Sequence, residues 1–370
     1  MFNLTNFNQH SLPPLVGGLG WGQITNHMKT KHIFLFAVAL FAAYCFTACK
    51  PKDEPVITNV YAAGYEYTTK NTVKYWKNGE ATTLNAPTNS GRAHALFVAD
   101  NGDVYVAGYE IMPTDISVAK YWKNGVPVQL TDGTKDAFAY SIFVNGNDVY
   151  VAGSESNGTK NMAKYWKNGK AVTLPDNGND VIVQSIVVKD NTVYMAGNEG
   201  KWKTFPVYWT DKNGAVTLSV LADKNINGSA NAVGITKAGD VYVAGHQSNG
   251  TVLVAKYWKN KMATELTDGK FQACVYGMYI RENDVYICGF EHNGKVSVAK
   301  YWKNGTPVTL TDGTHSAVAE TIFVTSGGDV YVGGYENNGK NDVAKYWKNG
   351  TAVSLTDGNY AASCYGIAVR

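Results

Sequence analysis

Short runs of apolar positions alternate with polar positions along most of the chain, and the arrangement returns roughly every 44 residues. In one unit the runs cover 141–144, 148–153, 163–166 and 171–174, and we name the strands that they predict A, B, C and D. Asn-Gly or Asn-Asp separates A from B, and Lys-Asn-Gly separates C from D, which favours tight hairpins. Beyond residue 48 no sustained apolar period of 3.6 residues occurs, so we expect helices to be nearly absent.

Two motifs mark seven copies of this unit. Tyr-Trp-Lys-Asn-Gly, or a degenerate form of it, begins 43 to 49 residues apart at Tyr75, Tyr121, Tyr165, Tyr208, Tyr257, Tyr301 and Tyr346. Asp-Val-Tyr-Val-Ala-Gly, or a close variant, is centred on Tyr61, Tyr105, Tyr150, Tyr194, Tyr242, Tyr286 and Tyr331. Four strands in a unit of this length are typical of a β-propeller blade.

The ends of the repeated region indicate how the ring closes. The first unit begins in strand B, and the last residues of the chain form an additional strand A. The last strand would therefore complete the first blade and remove an open sheet edge. We predict an all-β fold over residues 58–370: a seven-bladed β-propeller of four-stranded antiparallel blades, with the ring closed by the C-terminal strand A joining the N-terminal blade.

The segment before the repeats has the features of an export signal. Met28, Lys29 and Lys31 precede an apolar stretch that is too short to span a bilayer but suits a secretory signal. Small residues before Cys49 resemble the lipobox of bacterial lipoproteins, in which the signal is cut before a cysteine that is then acylated. An ordinary signal peptide with an incidental cysteine is the alternative. We expect a start-site extension at 1–27, a lipoprotein signal peptide at 28–48 and a lipidated tether at 49–57.

The tether carries a second signal. Lys52, Asp53 and Glu54 resemble the surface-export signal of Bacteroidetes lipoproteins. With the lipobox and the Tyr-Trp-Lys-Asn-Gly blades, the chain after Cys49 resembles the tandem-blade β-propeller lipoproteins of Bacteroidetes. That resemblance implies a propeller on a bacterial outer membrane, held in the lipid by palmitate or another acyl group on Cys49 and facing the cell exterior. Such proteins have no assigned biochemical activity, so the resemblance implies no chemistry.

Composition narrows the possible functions. The 33 basic and 30 acidic residues give a net charge of +3, so we expect no nucleic-acid partner. Cys274, Cys288 and Cys364 are scattered over strand-like segments without metal-ligand spacing, and we expect them to be buried apolar residues. We expect no metal and no cofactor.

Positions that stay constant between the units should serve the fold. The tryptophans of the Tyr-Trp motif should fill the gaps between blades, although a sugar-binding platform on each blade is the alternative. An acid follows strand B and a lysine precedes Tyr-Trp in six units each, with Gln247 and Val207 as the exceptions. If each lysine paired with the acid of the next blade, Val207 and Gln247 would fall at the same interface, and no other lysine or acid would lose its partner. We therefore predict the inter-blade pairs Lys74–Glu110, Lys120–Glu155, Lys164–Glu199, Lys256–Glu291, Lys300–Glu336 and Lys345–Glu66.

Function should lie where the units differ. The B–C and D–A loops vary, the loop at 219–229 being the longest, and both sets open on one face of a propeller, which we call the variable face. Strand A contains small residues at Ala95, Ser141, Ser185, Ala232, Gly277, Thr321 and Gly366. The residue before each is polar or aromatic, and we predict that these seven surround the channel mouth and bind a ligand: His94, Tyr140, Gln184, Asn231, Tyr276, Glu320 and Tyr365.

This mixture of rings, amides and a carboxyl suits a glycan or a peptide, the alternative being a solvated funnel without a ligand. No HExxH, GxSxG or P-loop motif occurs, and Asp-Gly pairs such as Asp132-Gly133 are explained by turn formation rather than by calcium. We expect a surface-displayed, non-catalytic binding module. The alternatives are a polysaccharide lyase or hydrolase that uses the channel mouth, with Glu320 and His94 as a conceivable acid–base pair, and a scaffold that docks another envelope protein.

Overall fold

Residues 58–370, which the computed structural model describes, form 28 β-strands in seven separate four-stranded sheets. Every neighbouring pair of strands is antiparallel, and each sheet is one blade of a ring. The predicted all-β, seven-bladed propeller is therefore confirmed. The predicted segments 1–27, 28–48 and 49–57, including Cys49, lie outside the described residues. Within the described range, no helix is long and apolar enough to cross a membrane.

The four strand positions recur in the same order in every blade. The innermost strands (A) are β4 Ser90–Val98, β8 Ala137–Asn145, β12 Val181–Lys189, β16 Gly228–Ile235, β20 Ala273–Arg281, β24 Ala317–Val324 and β28 Ala362–Val369. The second strands (B) are β1 Val60–Tyr67, β5 Val104–Ile111, β9 Asp148–Ser156, β13 Thr192–Glu199, β17 Val241–Ser248, β21 Asp284–His292 and β25 Val330–Asn337. The third strands (C) are β2 Asn71–Lys77, β6 Ser117–Lys123, β10 Asn161–Lys167, β14 Phe205–Lys212, β18 Leu253–Lys259, β22 Ser297–Lys303 and β26 Asp342–Lys348. The outermost strands (D) are β3 Glu80–Thr83, β7 Val126–Gln129, β11 Lys170–Thr173, β15 Ala215–Val220, β19 Met262–Glu265, β23 Thr306–Thr309 and β27 Thr351–Ser354.

The ring closes as the sequence predicted. The first blade has the order β28-β1-β2-β3, so the last strand of the chain pairs with the first. Beyond the paired strands, the amide of Asn59 donates to the carbonyl of Arg370 at 2.6 Å, and the amide of Arg370 donates back at 3.0 Å. Both ends of the described chain are therefore fixed in one sheet.

The recurring Lys-Asn-Gly motif joins the two turns of a blade that lie on the same side. In the third blade Asn168 and Gly169 have φ values of 50° and 79°, as a two-residue type I′ hairpin requires. The Asn168 side chain accepts a hydrogen bond from the Val149 amide at 2.8 Å and donates one to Asp148 at 2.7 Å. Lys167 forms an ion pair with Asp148 at 2.8 Å. One motif therefore fixes the C–D turn against the start of strand B.

The tryptophans of the motif are packing residues, as expected. All seven are less than 2% exposed. Trp166 of the third blade lies in one core cluster with Tyr105 and Ala107 of the second blade and with Ile142 of its own. The ring therefore fills the gap between neighbouring blades, and no face is free to serve as a sugar platform. Cys274, Cys288 and Cys364 are likewise buried, as predicted, and none forms a disulfide.

The predicted ion pairs between neighbouring blades are wrong. The lysine pairs with the acid of its own blade, as in Lys120–Glu110 at 3.1 Å and Lys345–Glu336 at 2.6 Å. The cause is the register of strands B and C: Lys120 lies opposite Gly108, which has no side chain, so Glu110 is its diagonal neighbour on the same face. The same pairing is found at Lys74–Glu66, Lys164–Glu155 and Lys300–Glu291.

The two exceptional blades provide other partners. In the fourth blade, where Val207 replaces lysine, Glu199 accepts hydrogen bonds from the amide and side chain of Asn177, both at 2.7 Å, and from Asn179 at 3.0 Å. In the fifth blade Lys256 donates to Gln247 at 3.1 Å. Neither Glu199 nor Lys256 lacks a partner, so the coincidence that suggested pairing between blades has a local explanation.

The loop at 219–229 is not the longest of its set. The strand before it, β15, has six residues where the other outer strands have four, and the connection itself covers 221–227. That is the same length as the connection at 130–136. The additional residues therefore lengthen a strand at the rim of the propeller rather than a loop on the variable face.

The Asp-Gly pairs are turns, as predicted. Asp132 accepts hydrogen bonds from the amide and hydroxyl of Thr134, at 2.9 Å and 2.7 Å. Asp312 does the same with Thr314, at the same two distances. An aspartate side chain that accepts a hydrogen bond from the amide two residues later is common in turns.

Candidate binding site at the mouth of the central channel

Each innermost strand contains a β-bulge at one place, and the bulged residue is a predicted ligand-binding residue. In the third blade Ala139 pairs with Gly153 and Ser141 pairs with Ala152, so Tyr140 has no partner in strand B. A bulge inserts one unpaired residue and re-aims its side chain. The same shift occurs in all seven blades. The bulged residues are His94, Tyr140, Gln184, Asn231, Tyr276, Glu320 and Tyr365.

The bulge explains the glycine that ends the Val-Ala-Gly motif. A Cβ atom on Gly153 would lie 1.9 Å from the carbonyl oxygen of Phe138 in strand A. The equivalent distance in the other six blades is 1.8 to 2.0 Å. No other residue fits where the bulged backbone approaches strand B so closely. The constant glycine and the variable residue opposite it therefore belong to one feature.

All seven bulged residues line one cavity, which we call the channel-mouth cavity. Its volume is about 410 Å³, and the small residues of strand A, among them Ser141 and Ser185, form its floor. Every bulged residue is half-buried. The structure thus brings the seven predicted residues together. That they bind a ligand stays a prediction.

The floor residues of strand A line two cavities of the channel and join neighbouring blades. The Ser141 hydroxyl accepts a hydrogen bond from the Ile186 amide at 3.2 Å, and the Ser185 hydroxyl accepts one from the Val233 amide at 3.1 Å, which joins neighbouring blades. Beyond the floor lies a second cavity of about 410 Å³, whose walls include Phe97, Phe143, Tyr279 and Phe323. The small residues of strand A therefore lie between the channel-mouth cavity and the second cavity, whose lining also includes Arg370.

Aromatic rings form a continuous wall on one side of the channel-mouth cavity. The ring of His94 lies 5.1 Å from Tyr140, 5.6 Å from Tyr365 and 5.7 Å from Tyr109. Burial, assisted by the nearby Arg92 guanidinium, lowers the pKa of His94 to about 4. The imidazole is therefore neutral at pH 7 and contributes a flat polar ring rather than a charge.

The sequence analysis missed a second tier of residues above the bulges. Tyr65 stacks on Tyr365 at 5.9 Å, and the Arg92 guanidinium lies 4.5 Å from the centre of the Tyr65 ring. The signal was present, because one strand-B position between the constant glycine and the acid holds five residue types in the seven units. That position holds Tyr65, Tyr109, Ser154, Asn198, His246, Phe290 and Tyr335.

Glu320 differs from the other buried or half-buried acids among residues 58–370 because its carboxyl has no partner. Among residues 58–370 its carboxyl has no hydrogen-bond or ion-pair partner, and burial raises its pKa to about 8. Its position beside Tyr276 and Tyr365 contributes to raising the pKa of both phenols, whose main cause is burial. His94 lines the same cavity, but no hydrogen bond joins it to Glu320, so the conceivable acid–base pair is not formed within the described range.

The amide residues complete the wall. Asn231 donates to the carbonyl oxygen of Val275 at 2.7 Å and is therefore fixed in place, whereas the Gln184 amide makes no side-chain hydrogen bond within residues 58–370. In the same range, no group of three or more His, Cys, Asp or Glu side chains could hold a metal ion. The cavity thus combines aromatic faces, one free amide and one unpaired carboxyl.

Large exposed apolar side chains are concentrated on the variable face. Within the described residues, five of the eight lie in or beside its B–C and D–A connections. They are Tyr67, Trp202, Ile226, Phe271 and Tyr360. Trp202, in the connection between β13 and β14, is 93% exposed. Single exposed apolar residues are common on protein surfaces, so these five side chains mark the variable face without forming a demonstrated patch.

Comparisons with known proteins identify the fold and nothing finer. No protein-family model and no curated protein matches the chain. Among solved structures, a puromycin-hydrolysing peptidase of Mycobacterium tuberculosis aligns with a TM-score of 0.50 and 11% identity over 73% of this chain and 47% of that chain. A prolyl endopeptidase aligns with a TM-score of 0.50 and 10% identity over 92% of this chain and 56% of that chain. The chain spans about half the length of these peptidases, and identities this low show a shared fold alone.

Proposed function

We propose that the chain is a non-catalytic binding module whose ligand occupies the channel-mouth cavity. One observation carries the proposal: seven equivalent positions, freed from strand pairing by seven equivalent bulges, hold different polar and aromatic side chains around a single cavity. Where packing decides, the blades repeat the same residue, as with the tryptophans. Variation at a repeated position that faces a cavity favours recognition.

The chemistry of the wall favours a glycan or a peptide. The rings of His94, Tyr140 and Tyr365 offer flat apolar faces, while the Gln184 amide and the Glu320 carboxyl offer donors and acceptors. A volume of about 410 Å³ lies within the usual range for small-ligand sites. A short peptide segment or one to two sugar rings would be held by stacking and by a few directed hydrogen bonds.

We also propose that the propeller is displayed on a bacterial outer membrane and anchored in its lipid through an acylated Cys49. This part is supported by the leader and by the tether signal of the sequence. Labelling cells with radioactive palmitate should mark the chain, and Cys49→Ala should abolish the label and release the protein from the membrane fraction. A labelled Cys49→Ala variant would contradict acylation at that cysteine.

Binding at the channel mouth is tested by screening the purified full chain in detergent against glycan and peptide arrays. A quadruple variant combines His94→Ala, Tyr140→Ala, Tyr276→Ala and Glu320→Ala, and it should lose the binding that the natural chain shows. The matched control combines Val126→Ala with Met262→Ala. These two residues are 64% and 76% exposed on outer strands, far from the channel, so this control should bind normally. Binding that survives the quadruple variant would refute this site.

A second candidate function is hydrolysis or lysis of a polymer at the same cavity. It is favoured by Glu320, because a carboxyl with a pKa of about 8 can act as a general acid at neutral pH. The peptidases with a similar fold are consistent with this candidate without supporting a particular reaction. Turnover of a fluorogenic peptide or polysaccharide that Glu320→Gln abolishes would establish it.

A third candidate function is docking of another envelope protein on the exposed Trp202, Phe271 and Tyr360 of the variable face. Cross-linking on intact cells would detect such a partner. If Trp202→Ala removed the cross-link while the quadruple channel-mouth variant kept it, the docking surface would be the outer part of the face rather than the cavity.

A further inference from the structure

Among residues 58–370, the lining of the channel-mouth cavity contains a single carboxyl group, that of Glu320, and this favours a positively charged ligand. Glu320 is the only cavity-lining residue that can be negative near neutral pH, and the described lining contains no lysine or arginine. Elsewhere the blades give their half-buried acids a partner, as with Glu155 and Lys164 or Glu336 and Lys345. The Glu320 carboxyl therefore keeps its hydrogen-bonding capacity for whatever occupies the cavity.

The neighbours of Glu320 suit a cation. Strand A of the seventh blade carries Glu320, and the flanking strands A of the sixth and first blades contribute Tyr276 and Tyr365 to the same lining. The Glu320 charge is one of the causes that raise the pKa of both phenols, burial being the largest, which agrees with their shared position in the lining. An ammonium group is attracted both to a carboxylate and to the faces of aromatic rings, and the attraction grows when water is excluded.

We infer that the channel-mouth cavity recognises an ammonium group, held between the Glu320 carboxylate and the rings of Tyr276 and Tyr365. The inference rests on the proposed function, because it names the chemical class of the ligand that the same cavity binds. Free amines occur at the N-terminus of a peptide, on an unacetylated amino sugar and, as quaternary amines, in choline-like groups. These share one chemistry, which a neutral glycan or an N-acetylated peptide lacks.

Such recognition must compete with a proton. Because burial raises the pKa of Glu320 to about 8, the empty site holds a neutral carboxyl at pH 7, and a bound cation must displace its proton. Affinity for a permanently charged cation should therefore rise with pH up to about 8 and then become constant. The other titratable groups around Glu320 stay neutral from pH 6 to 9, because burial raises the pKa of the phenols and thiols and lowers that of His94 to about 4. The phenols and thiols are those of Tyr276, Cys288, Tyr335, Cys364 and Tyr365.

The first test uses choline, whose charge does not titrate, and its uncharged carbon analogue 3,3-dimethylbutan-1-ol. Calorimetry on the full chain in detergent at pH 6 and pH 9 should show choline binding that strengthens roughly 90-fold, as the ionised fraction of a group with a pKa of about 8 does. The analogue should bind at least ~10-fold more weakly at pH 9. Equal binding of the two compounds, or choline binding that does not change with pH, would overturn the inference.

Three variants separate the parts of the site. Glu320→Gln keeps the shape but should remove both the preference for choline and its dependence on pH. Tyr276→Leu keeps the carboxylate and should weaken choline about 2- to 30-fold at pH 9. Glu80→Gln removes an exposed carboxyl of the outer strand β3 and should change nothing. Circular dichroism establishes that each variant is folded before its binding is measured.

The second test distinguishes the natural sources of the amine. Matched pairs are a peptide with a free and an acetylated N-terminus, and an oligomer of glucosamine and of N-acetylglucosamine. A preference for the free amine in either pair, lost in Glu320→Gln, supports the inference and names the source. Equal binding of both members of a pair at the cavity would leave the proposed function intact and overturn the inference. Failure of every probe, neutral or charged, would overturn both.

Discussion

Replacing Glu320 with glutamine should stabilise the propeller at high pH and leave its stability at pH 5 nearly unchanged. In the folded protein burial raises the pKa of this carboxyl from 4.5 to about 8. Between these two values the folded state binds the proton that the unfolded chain releases, so the free energy of unfolding falls as pH rises through this window. A glutamine has no proton to lose, and since the carboxyl has no hydrogen-bond partner within residues 58–370, no contact is given up.

The size of the effect follows from the two pKa values. Each pH unit between 4.5 and about 8 corresponds to about 1.4 kcal/mol, so the carboxylate costs at most roughly 5 kcal/mol at pH 9. Glu320 is half-buried and faces a cavity open to water, which lowers the penalty. We expect Glu320→Gln to raise the free energy of unfolding by about 2–4 kcal/mol at pH 9.

Urea unfolding at pH 5, 7 and 9 measures this difference, with the exposed Glu80→Gln as the control. His94 and His246, whose pKa values burial lowers to about 4, make the protein less stable as pH falls below about 6.5. Both histidines are present in the natural chain and in the variant, so their effect cancels in the difference. A gain that is equal at pH 5 and pH 9, or a natural chain that is the more stable at pH 9, would refute the reasoning.

Two further substitutions test the scaffold by urea unfolding. Gly153→Ala should cost about 2–4 kcal/mol, because the new methyl group would meet the carbonyl oxygen of Phe138, whereas Gly327→Ala, in a roomy turn, should cost less than about 0.5 kcal/mol. Glu110→Gln should cost about 2–4 kcal/mol by leaving the Lys120 ammonium buried without a counter-charge. The double variant Glu110→Gln with Lys120→Met should recover most of that loss, and no recovery would contradict a coupled pair.

The repeats made the architecture predictable, since seven copies of one unit show seven times which positions the fold requires. The four strands, the turns, the tryptophan contacts and the closing strand β28 all follow from alternation and turn residues. The wrong prediction of ion pairs between blades relied on two exceptional residues that fall in neighbouring units. Register decides such contacts, and Lys120 opposite Gly108 leaves Glu110 as the neighbour on the same face.

The site was predictable in outline because equivalent positions of a closed ring must meet around its axis. The second tier with Tyr65 and Tyr109 could have been found by the same comparison of the seven units. The absence of a partner for Glu320 could not have been predicted. It depends on which side chains, contributed by three neighbouring blades, come close to the carboxyl. A pKa is set by those distances and by access of water, and neither is present in a single repeat.

The bulge joins the constant and the variable parts of each blade. At the bulge the strand-A backbone lies so close to Gly153 that only glycine fits there. Tyr140 has no partner in strand B, so strand pairing does not constrain which residue stands at that position. Because all seven blades contain this glycine and this bulge, the ring has seven positions whose residue is free to vary. Each blade keeps the strand-B glycine and leaves the bulged residue of strand A unpaired. Such a scaffold can change its ligand without changing its fold. The differences between Tyr140, Asn231 and Glu320 are then expected to reflect the ligand, and exchanging these residues between blades should move binding while preserving stability.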